Sequence, residues 1–209
     1  KFLQLNQAPV FCRYLSEAEL LSSLVKFSDD KNYWFSVGAS IDTFVFLNDW
    51  VKNHKPDALI NISVDIAHGD MIDLYKLYNK YADATWCRNL MSGTVASFES
   101  AYNVYRAGCS HIRVGIGPGS ACTTRIVTGC GVPNLSAVYE VWLGFYSEGI
   151  KDNITIIADG GIRNTGDAVK YLAAGADALM IGNLLSKTFE SNGWKESKIL
   201  KFFNKISFG

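Results

Sequence analysis

Among the 209 residues, 20 basic side chains balance 20 acidic ones, and 48% of the residues are hydrophobic. This is the composition of one globular domain with a sizeable core, and a net charge of zero argues against a nucleic-acid or membrane-surface partner. A transmembrane helix needs about 18 consecutive apolar residues, and the sequence contains no such run. The five cysteines are odd in number and form no CxxC pair, which predicts reduced thiols in a cytoplasmic protein.

Short apolar runs alternate with amphipathic stretches along the chain. The apolar runs are typical of buried strands. The stretches between them have helical spacing, and several begin at residues that cap helices, such as Ser16 and Thr165. We predict strands at 9–13, 33–37, 59–65, 84–89, 111–115, 155–159 and 178–182, and helices at 16–28, 42–53, 70–82, 94–107, 134–149, 165–174 and 194–206.

Strands that alternate with helices predict an α/β fold, a parallel sheet covered on both faces. Polar residues and glycines follow many of the predicted strands, and chemistry spread over many strand ends is typical of a TIM (β/α)8 barrel. A doubly wound sheet would concentrate it at one switch point. Seven strands are found where a barrel needs eight, so we interpret residues 1–209 as a single catalytic (β/α)8 barrel domain, truncated at both ends and lacking its first strand.

The stretch GIGPGSACTT at residues 115–124 is the first candidate site. Its three glycines let the backbone turn tightly, so that carbonyls can face a monovalent cation or amides a phosphate. A lone cysteine is usually a small buried hydrophobe, and we expect this of the other four. A glycine-rich loop at the catalytic end of a barrel is a poor place for a packing thiol, however. Cys122 is therefore a candidate nucleophile, and the two threonines after it are placed to orient a substrate or water.

A second candidate site joins two neighbouring loops. Asp159 ends a buried strand, where a carboxylate must be hydrogen-bonded or hold a ligand, and Gly160 and Gly161 follow at once. The next strand opens into Gly182 and Asn183 before a helix. Two adjacent glycine-bearing loops of this kind form the usual phosphate site of a barrel, so we predict phosphate binding here rather than plain tight turns.

Two further strand ends carry polar side chains. Asp65 is interpreted as a carboxylate that binds a ligand or orients a cofactor, whereas His68 is expected to be structural or exposed. Asn89 closes the predicted fourth strand, where it either holds a substrate amide or hydroxyl or merely completes a turn. Both Asp65 and Asn89 are thus predicted at the catalytic end of the barrel.

These motifs resemble the IMP dehydrogenase and GMP reductase family. The family's catalytic loop is similar to GIGPGSACTTRIVTGCGVPNLSAV, and its phosphate-binding segment is similar to IIADGGIRNTGDAVKYLAAGADALMIGNLL. Two shorter stretches add to the resemblance: VDIAHG, and CRN at the place where the family usually has AGN. The resemblance runs from about residue 9 to residue 191. The resemblance implies a TIM barrel that binds a purine 5′-monophosphate, GMP or IMP, and uses NADPH or NAD.

The resemblance also implies a role for each candidate residue. Cys122 would attack C2 of the purine ring, and Thr124 would help to activate water or ammonia. Asp65 and Asn89 would lie near the nicotinamide and the reacting base, and Gly115 beside the cofactor. The ribose and phosphate would be held by Ser120, Asp159, Gly160, Gly161, Gly182 and Asn183. Potassium would bind the backbone carbonyls of Gly117, Gly119 and Cys122.

The direction of the reaction stays open. A GMP reductase, which converts GMP and NADPH to IMP and ammonia, is favoured because no regulatory domain is inserted between Tyr14 and Tyr33. An IMP dehydrogenase, which converts IMP and NAD to XMP, is the alternative, and GGIRNTGD and GVP resemble that enzyme. Arg88 and Asn183 depart from the family pattern, which keeps a non-catalytic nucleotide-binding barrel as a further alternative.

Two more expectations follow from the resemblance. Members of the family are usually homotetramers, so we expect one here. The family continues beyond the final SFG into a C-terminal flap region that this chain lacks. An unrelated sugar-phosphate barrel enzyme would explain the phosphate loops but not the cysteine loop.

Overall fold

The structure, a computed structural model, describes residues 7–188. Strands alternate with helices over that range, as the sequence predicts. The strands are Val10–Phe11 (β1), Trp34–Val37 (β2), Ile60–Asp65 (β3), Cys87–Val95 (β4), His111–Val114 (β5), Thr155–Asp159 (β6) and Ala178–Met180 (β7). The helices are Glu17–Phe27 (α1), Ile41–His54 (α2), Ile72–Asp83 (α3), Phe98–Arg106 (α4), Thr124–Thr128 (α5), Asn134–Ser147 (α6), Thr165–Ala173 (α7) and Asn183–Ser186 (α8), with a 3-10 turn at Lys151–Asn153.

The seven strands form one parallel sheet in chain order. Parallel neighbours need a crossover connection, which the helices supply. In the interior, Trp34 of β2, Met91 of β4 and Ile157 of β6 pack into one cluster together with two residues of β7. Alternate strands of a flat sheet lie about 9–10 Å apart, whereas a barrel interior is filled by layers of side chains from alternate strands. The cluster therefore confirms the predicted incomplete TIM barrel.

A larger core lies between the outer face of the sheet and the helices. It includes Ile62 and Ile112 from strands and Tyr78 and Phe145 from helices, all fully buried. Burial on both faces explains why the strands read as near-continuous apolar runs in the sequence. Because the seven strands are parallel, the loops that follow them all lie at one end of the barrel, which we call its mouth.

The fourth strand was placed wrongly from the sequence. We predicted a strand at 84–89 and a helix from 94, but β4 runs through Val95 and α4 starts at Phe98. Asn89 therefore lies in the first half of the strand, paired in register with Asn61 near the start of β3. Its side-chain amide donates to Oδ1 of Asn61 at 2.9 Å. Asn89 thus lies towards the end of the barrel opposite the mouth, and not at the strand end where we predicted it.

The error has a physical cause in the second half of β4. It contains Ser92 and Gly93, and glycine is depleted in strands while a buried hydroxyl needs a hydrogen-bond partner, so this half does not show the apolar pattern of a buried strand. Here Ser92 Oγ donates to Tyr78 Oη at 2.6 Å, and Thr94 Oγ1 donates to the carbonyl of Ala67 at 3.0 Å. These partners come from distant parts of the chain, so local sequence gave no sign that the strand continues.

Two short helices were not predicted, namely α5 and α8. The predicted helix at 194–206 lies outside the described residues. Within residues 7–188, no helix combines the length and the apolar character that crossing a membrane requires.

Candidate active site

At the mouth of the barrel, the loop after β3 packs on the end of β4, and the loops after β5 and β6 pack against each other. Gly69 touches Gly93 so closely that a Cβ on Gly69 would lie 2.8 Å from the Cα of Gly93. On the other side, a Cβ on Gly160 would lie 3.1 Å from the backbone nitrogen of Gly119. The second contact brings the cysteine loop onto the loop that follows Asp159, so the two predicted sites are one site.

Arg113 joins the two carboxylates of this site. The side chain extends from β5 and is 8% exposed. Its Nη1 donates to Oδ1 of Asp65 at 2.8 Å, while Nε and Nη2 donate to Oδ2 of Asp159 at 2.9 and 2.7 Å. Burial disfavours the charged guanidinium, but Asp159 and Asp65 outweigh that effect and raise the pKa of Arg113. The bridge therefore links the ends of β3, β5 and β6 through charge-assisted hydrogen bonds.

A second arginine lies on the far side of Asp65. Nη1 of Arg13 donates to the backbone carbonyl of Asp65 at 2.5 Å, and its Nε lies 3.8 Å from Oδ2 of the same residue. Arg13 also covers the ring of Tyr14 at 4.7 Å. The Asp65 carboxylate remains about one-third exposed, so it can meet a ligand at the mouth while two cations hold it in place.

Cys122 is exposed in the loop after β5. Its thiol donates to Oγ1 of Thr124 at 3.1 Å, and after deprotonation the hydroxyl can donate to the sulfur instead. The hydroxyl of Thr124, then its backbone N–H, lowers the pKa of Cys122 below its ordinary value. A thiol that is accessible and more acidic than usual has the properties of a nucleophile.

Of the other four cysteines, Cys109 is fully buried as expected, and Cys87 is half-buried. Partial burial raises the pKa of Cys87 to about 12. Cys12 and Cys130, in contrast, are exposed, so the expectation of burial is wrong for them.

Arg125 stabilises the cysteine loop through hydrogen bonds to the backbone. Its Nε donates to the carbonyl of Ile116 at 2.9 Å and its Nη2 to the carbonyl of Val132 at 2.6 Å. The aliphatic part of the side chain lies on Gly117, where a Cβ would come within 2.7 Å of Cγ and where φ is +72°. Glycine is thus required at position 117 by both backbone conformation and space.

Asn134, the first residue of α6, lies behind the site and is 6% exposed. Its Nδ2 faces the carbonyls of Asp159 and Gly160 at 3.4 Å each, and its Oδ1 is buried without a hydrogen-bond partner. Gly115 packs directly against this side chain, and a Cβ on residue 115 would lie only 2.5 Å from Oδ1 of Asn134. Asn134 therefore connects the start of the cysteine loop with the loop after β6.

The predicted phosphate loops lie side by side at the mouth. Gly160 and Gly161 have φ values of +78° and +76°, and the amide of Gly160 donates to the carbonyl of Met180 at 3.3 Å. Gly182 and Asn183 are exposed at the start of α8. Ser120 is exposed one residue after Gly119. These positions leave backbone and hydroxyl groups open to a ligand, and phosphate binding stays a prediction.

One of the predicted potassium ligands already has a hydrogen-bond partner. The carbonyl of Gly119 accepts a hydrogen bond from the amide of Cys122 at 3.0 Å, which closes a tight turn. Among the described residues, no group of three or more His, Cys, Asp or Glu side chains could hold a metal ion. That search concerns side chains, so a site built from backbone carbonyls stays a prediction.

Four residues of the site were not identified from the sequence, namely Arg13, Arg113, Arg125 and Asn134. Arg113 carried a usable signal, because a charged residue inside the apolar strand HIRV must be paired when buried. Arg125 and Asn134 carried none, because each acts through contacts that only the folded loop creates.

Removing the hydroxyl of Thr124 should make Cys122 less acidic. In Thr124→Val, the side-chain partner of the thiolate is lost, and we expect the rate of alkylation by iodoacetamide to rise with pH through a higher midpoint than in the wild type. Thr124→Ser keeps the hydroxyl and should keep the midpoint. Equal midpoints in all three proteins would show that Thr124 does not stabilise the thiolate.

Asn134 offers a test of the contact behind the site. In Asn134→Asp, a carboxylate would face two carbonyl oxygens in a buried position, so we expect a loss of about 2–4 kcal/mol in the free energy of unfolding. Asn134→Ala loses two long hydrogen bonds but also removes an unpaired acceptor, and should cost less, about 1 kcal/mol. Urea unfolding measures both, and an alanine variant that is less stable than the aspartate variant would contradict the assigned contacts.

Comparison with known proteins agrees with this geometry. The protein family described as the IMP dehydrogenase / GMP reductase domain matches residues 18–203. Inosine-5′-monophosphate dehydrogenase of Borreliella burgdorferi is 43% identical over 166 residues, which are 78% of this chain and 39% of that protein. The same enzyme of Bacillus subtilis is 43% identical over 161 residues, 77% of this chain and 31% of that protein.

Among solved structures, GMP reductase C318A from Trypanosoma brucei in complex with guanosine 5′-monophosphate is similar, with a TM-score of 0.67 and 31% sequence identity. The match covers 83% of this chain and 37% of that chain. The chain thus spans between about a third and two fifths of the length of these relatives.

Proposed function

The chain belongs to the IMP dehydrogenase / GMP reductase family, whose domain matches residues 18–203, and we propose on that premise that Cys122 attacks C2 of a purine 5′-monophosphate. The observation that carries the proposal is the exposed thiol, made more acidic by Thr124 and lying beside the loop that follows Asp159. A barrel that only bound nucleotides would gain nothing from such a thiol at its mouth.

The proposed step begins with the thiolate of Cys122. Its sulfur adds to C2 of GMP, and the 2-amino group leaves as ammonia after taking up a proton, which gives a thioimidate. A reduced nicotinamide cofactor would supply the hydride to C2, and the carbon–sulfur bond would then break to release IMP and the thiolate. In the dehydrogenase reaction, the thiolate would add to C2 of IMP, an oxidised nicotinamide would accept the hydride from C2 to leave the same thioimidate, and water would hydrolyse the thioimidate to XMP and free the thiol. Thr124 lies within hydrogen-bonding distance of the sulfur, where it can also handle the proton of water or ammonia.

The other residues of the mouth would bind and orient the ligands. Asp159 uses Oδ2 for Arg113, so Oδ1 is left for the ribose hydroxyls. The phosphate would lie among Ser120, Gly160, Gly161, Gly182 and Asn183. Asp65, part-exposed and held by two arginines, fits a contact to the nicotinamide ribose, with the backbone of Gly115 close by. Potassium at Gly117, Gly119 and Cys122 is kept as part of the proposal.

The direction of the reaction rests on two opposing observations. A single helix, α1, separates β1 from β2 with no inserted domain, and a GMP reductase complex is similar in structure, which favours GMP reduction. The curated relatives at 40–44% identity are IMP dehydrogenases, which favours IMP oxidation. Both directions require the same thioimidate at Cys122.

The test is a comparison of products formed by the full-length protein. GMP with NADPH should give IMP and ammonia if the protein is a reductase, and IMP with NAD should give XMP if it is a dehydrogenase; chromatography separates the three nucleotides. Folded protein that forms no product from either pair, while GMP or IMP still binds, would refute the enzyme and leave a nucleotide-binding barrel. Repeating the productive reaction with sodium in place of potassium tests the proposed ion.

A further inference from the structure

The loop at residues 66–70, which follows β3, is held by hydrogen bonds on two sides. On the barrel side, Oγ1 of Thr94 donates to the carbonyl of Ala67 at 3.0 Å, and the carbonyl of Thr94 accepts from the amide of Gly69 at 2.9 Å. On the helix side, Oη of Tyr78 donates to the carbonyl of Gly69 at 3.0 Å. A buried side chain of α3 therefore helps to fix this loop at the mouth of the barrel.

Gly69 has little room to change its position. It is buried, and a Cβ on it would lie 2.8 Å from the Cα of Gly93 at the end of β4. Its amide and its carbonyl both have partners, and the partner of the carbonyl is the hydroxyl of Tyr78. Removing that hydroxyl would leave a buried carbonyl without a hydrogen bond, which costs more than the bond itself contributes.

The hydroxyl of Tyr78 is directed at Gly69 by a third residue. Oγ of Ser92, in β4, donates to Oη of Tyr78 at 2.6 Å, and both side chains are fully buried. A tyrosine hydroxyl carries a single hydrogen, and because Ser92 supplies the hydrogen of its own bond, that of Tyr78 is left for Gly69. Burial also raises the pKa of Tyr78 far above its ordinary value, so the hydroxyl stays a donor at neutral pH.

The segment that this bond positions lies beside Asp65. Asp65 ends β3 and is held by its ion pair with Arg113, while Gly69 is held by Tyr78. Residues 67–68, between these two fixed points, are exposed. A cofactor bound to Asp65 would therefore meet this segment, whereas the groups proposed to hold the nucleotide belong to the loops after β5, β6 and β7.

We infer that Tyr78 is a positioning residue for the nicotinamide cofactor, because through the carbonyl of Gly69 it sets the course of the loop next to Asp65. The inference rests on the proposed function, in which Asp65 contacts the nicotinamide ribose. Tyr78 is fully buried and touches no ligand, so it acts on cofactor binding through Gly69 and leaves nucleotide binding unchanged.

Replacing Tyr78 by phenylalanine in the full-length protein tests the inference, because the ring is kept and only the hydroxyl is lost. We expect the KM for NADPH with GMP, or for NAD with IMP, to rise about three- to tenfold, which corresponds to one buried hydrogen bond. The KM for the nucleotide, and kcat at saturating cofactor, should stay within about twofold of wild type.

Tyr81→Phe is the matched control. Tyr81 is also fully buried on α3, but within residues 7–188 its hydroxyl has no hydrogen-bond partner. This variant should keep the wild-type KM for the cofactor. Ser92→Ala leaves the bond between Tyr78 and Gly69 but removes the group that directs it, and its KM should lie between those of wild type and Tyr78→Phe. A rise in Tyr81→Phe as large as in Tyr78→Phe would mean that repacking of α3, and not the bond to Gly69, changes cofactor binding.

Hydrogen exchange of the unliganded protein adds a readout that needs no turnover. The amide of Gly69 should exchange at least about fivefold faster in Tyr78→Phe than in wild type or Tyr81→Phe, because the loop opens locally at a lower cost. Unchanged exchange, an unchanged KM for the cofactor, or an equal rise in the KM for the nucleotide would each overturn the inference alone. Wild type that turns over neither pair of substrates would refute the proposed function, and the inference with it.

Discussion

Replacing Arg113 by methionine is expected to lower the free energy of unfolding by about 2–3 kcal/mol, less than the roughly 3–5 kcal/mol of a fully buried pair because the Asp159 and Asp65 side chains are 18% and 35% exposed. The guanidinium supplies three hydrogen bonds to two carboxylates that belong to different strands. Without it, Asp65 and Asp159 lose their shared counter-ion at the mouth of the barrel. Urea unfolding followed by circular dichroism measures the loss.

Two matched variants show whether the effect belongs to the bridge. Lys55→Met also removes a cation paired with an aspartate, but Asp29 is 74% exposed. Lys55 also donates to the carbonyl of Val25 and to the hydroxyl of Ser28, so the expected cost is about 1 kcal/mol. Arg113→Lys keeps the charge but not the planar fork that reaches both carboxylates, and should fall between wild type and the methionine variant. A methionine variant as stable as Lys55→Met would show that the bridge contributes nothing.

A double substitution separates the loss of the pair from the loss of packing. In Arg113→Met with Asp65→Asn, one of the two unpaired carboxylates is gone, so part of the lost stability should return. That recovery is a coupling between residues in contact, typically about 0.5–3 kcal/mol. Strictly additive losses would mean that Arg113 stabilises the fold through its aliphatic chain rather than through Asp65.

The alternation of strands and helices could be predicted because each unit of the barrel is locally encoded. Apolar runs of strand length and capped amphipathic helices recur along the chain, and the strands at 155–159 and 111–115 were placed within one residue. The fourth strand failed because Ser92 and Thr94 depend on partners in α3 and in the loop after β3. Local patterns cannot report a hydrogen bond that the fold creates later.

The candidate site also combines residues that the sequence identifies with contacts that only the folded chain creates. Cys122, Asp65 and Asp159 could be singled out because their residue types stand at positions where packing alone does not explain them. What the sequence could not show is that one arginine joins both aspartates, or that Asn134 bridges two loops from behind. Asn89 was misplaced because the strand end was misplaced, so an error of a few residues moved it from one end of the barrel to the other.

Replacing Cys122 by serine is expected to abolish the proposed turnover while leaving nucleotide binding nearly unchanged. A serine hydroxyl is a much weaker nucleophile than a thiolate near neutral pH, so the rate of product formation should fall by at least about 10³-fold. Within residues 7–188, the side chain of Cys122 is hydrogen-bonded only to Thr124, and the groups proposed to hold ribose and phosphate lie on other residues. The dissociation constant for GMP or IMP, measured by calorimetry, should therefore change by less than about threefold.

Cys130→Ser is the matched control, because Cys130 is equally exposed but its sulfur only faces the carbonyl of Thr128. It should keep full activity, and GMP or IMP should protect Cys122 but not Cys130 from iodoacetamide. The two readouts separate a nucleophile from a structural thiol. A Cys122→Ser protein that lost binding and activity together would have lost the shape of the loop, whereas one that kept its activity would show that the attack on C2 does not pass through this sulfur.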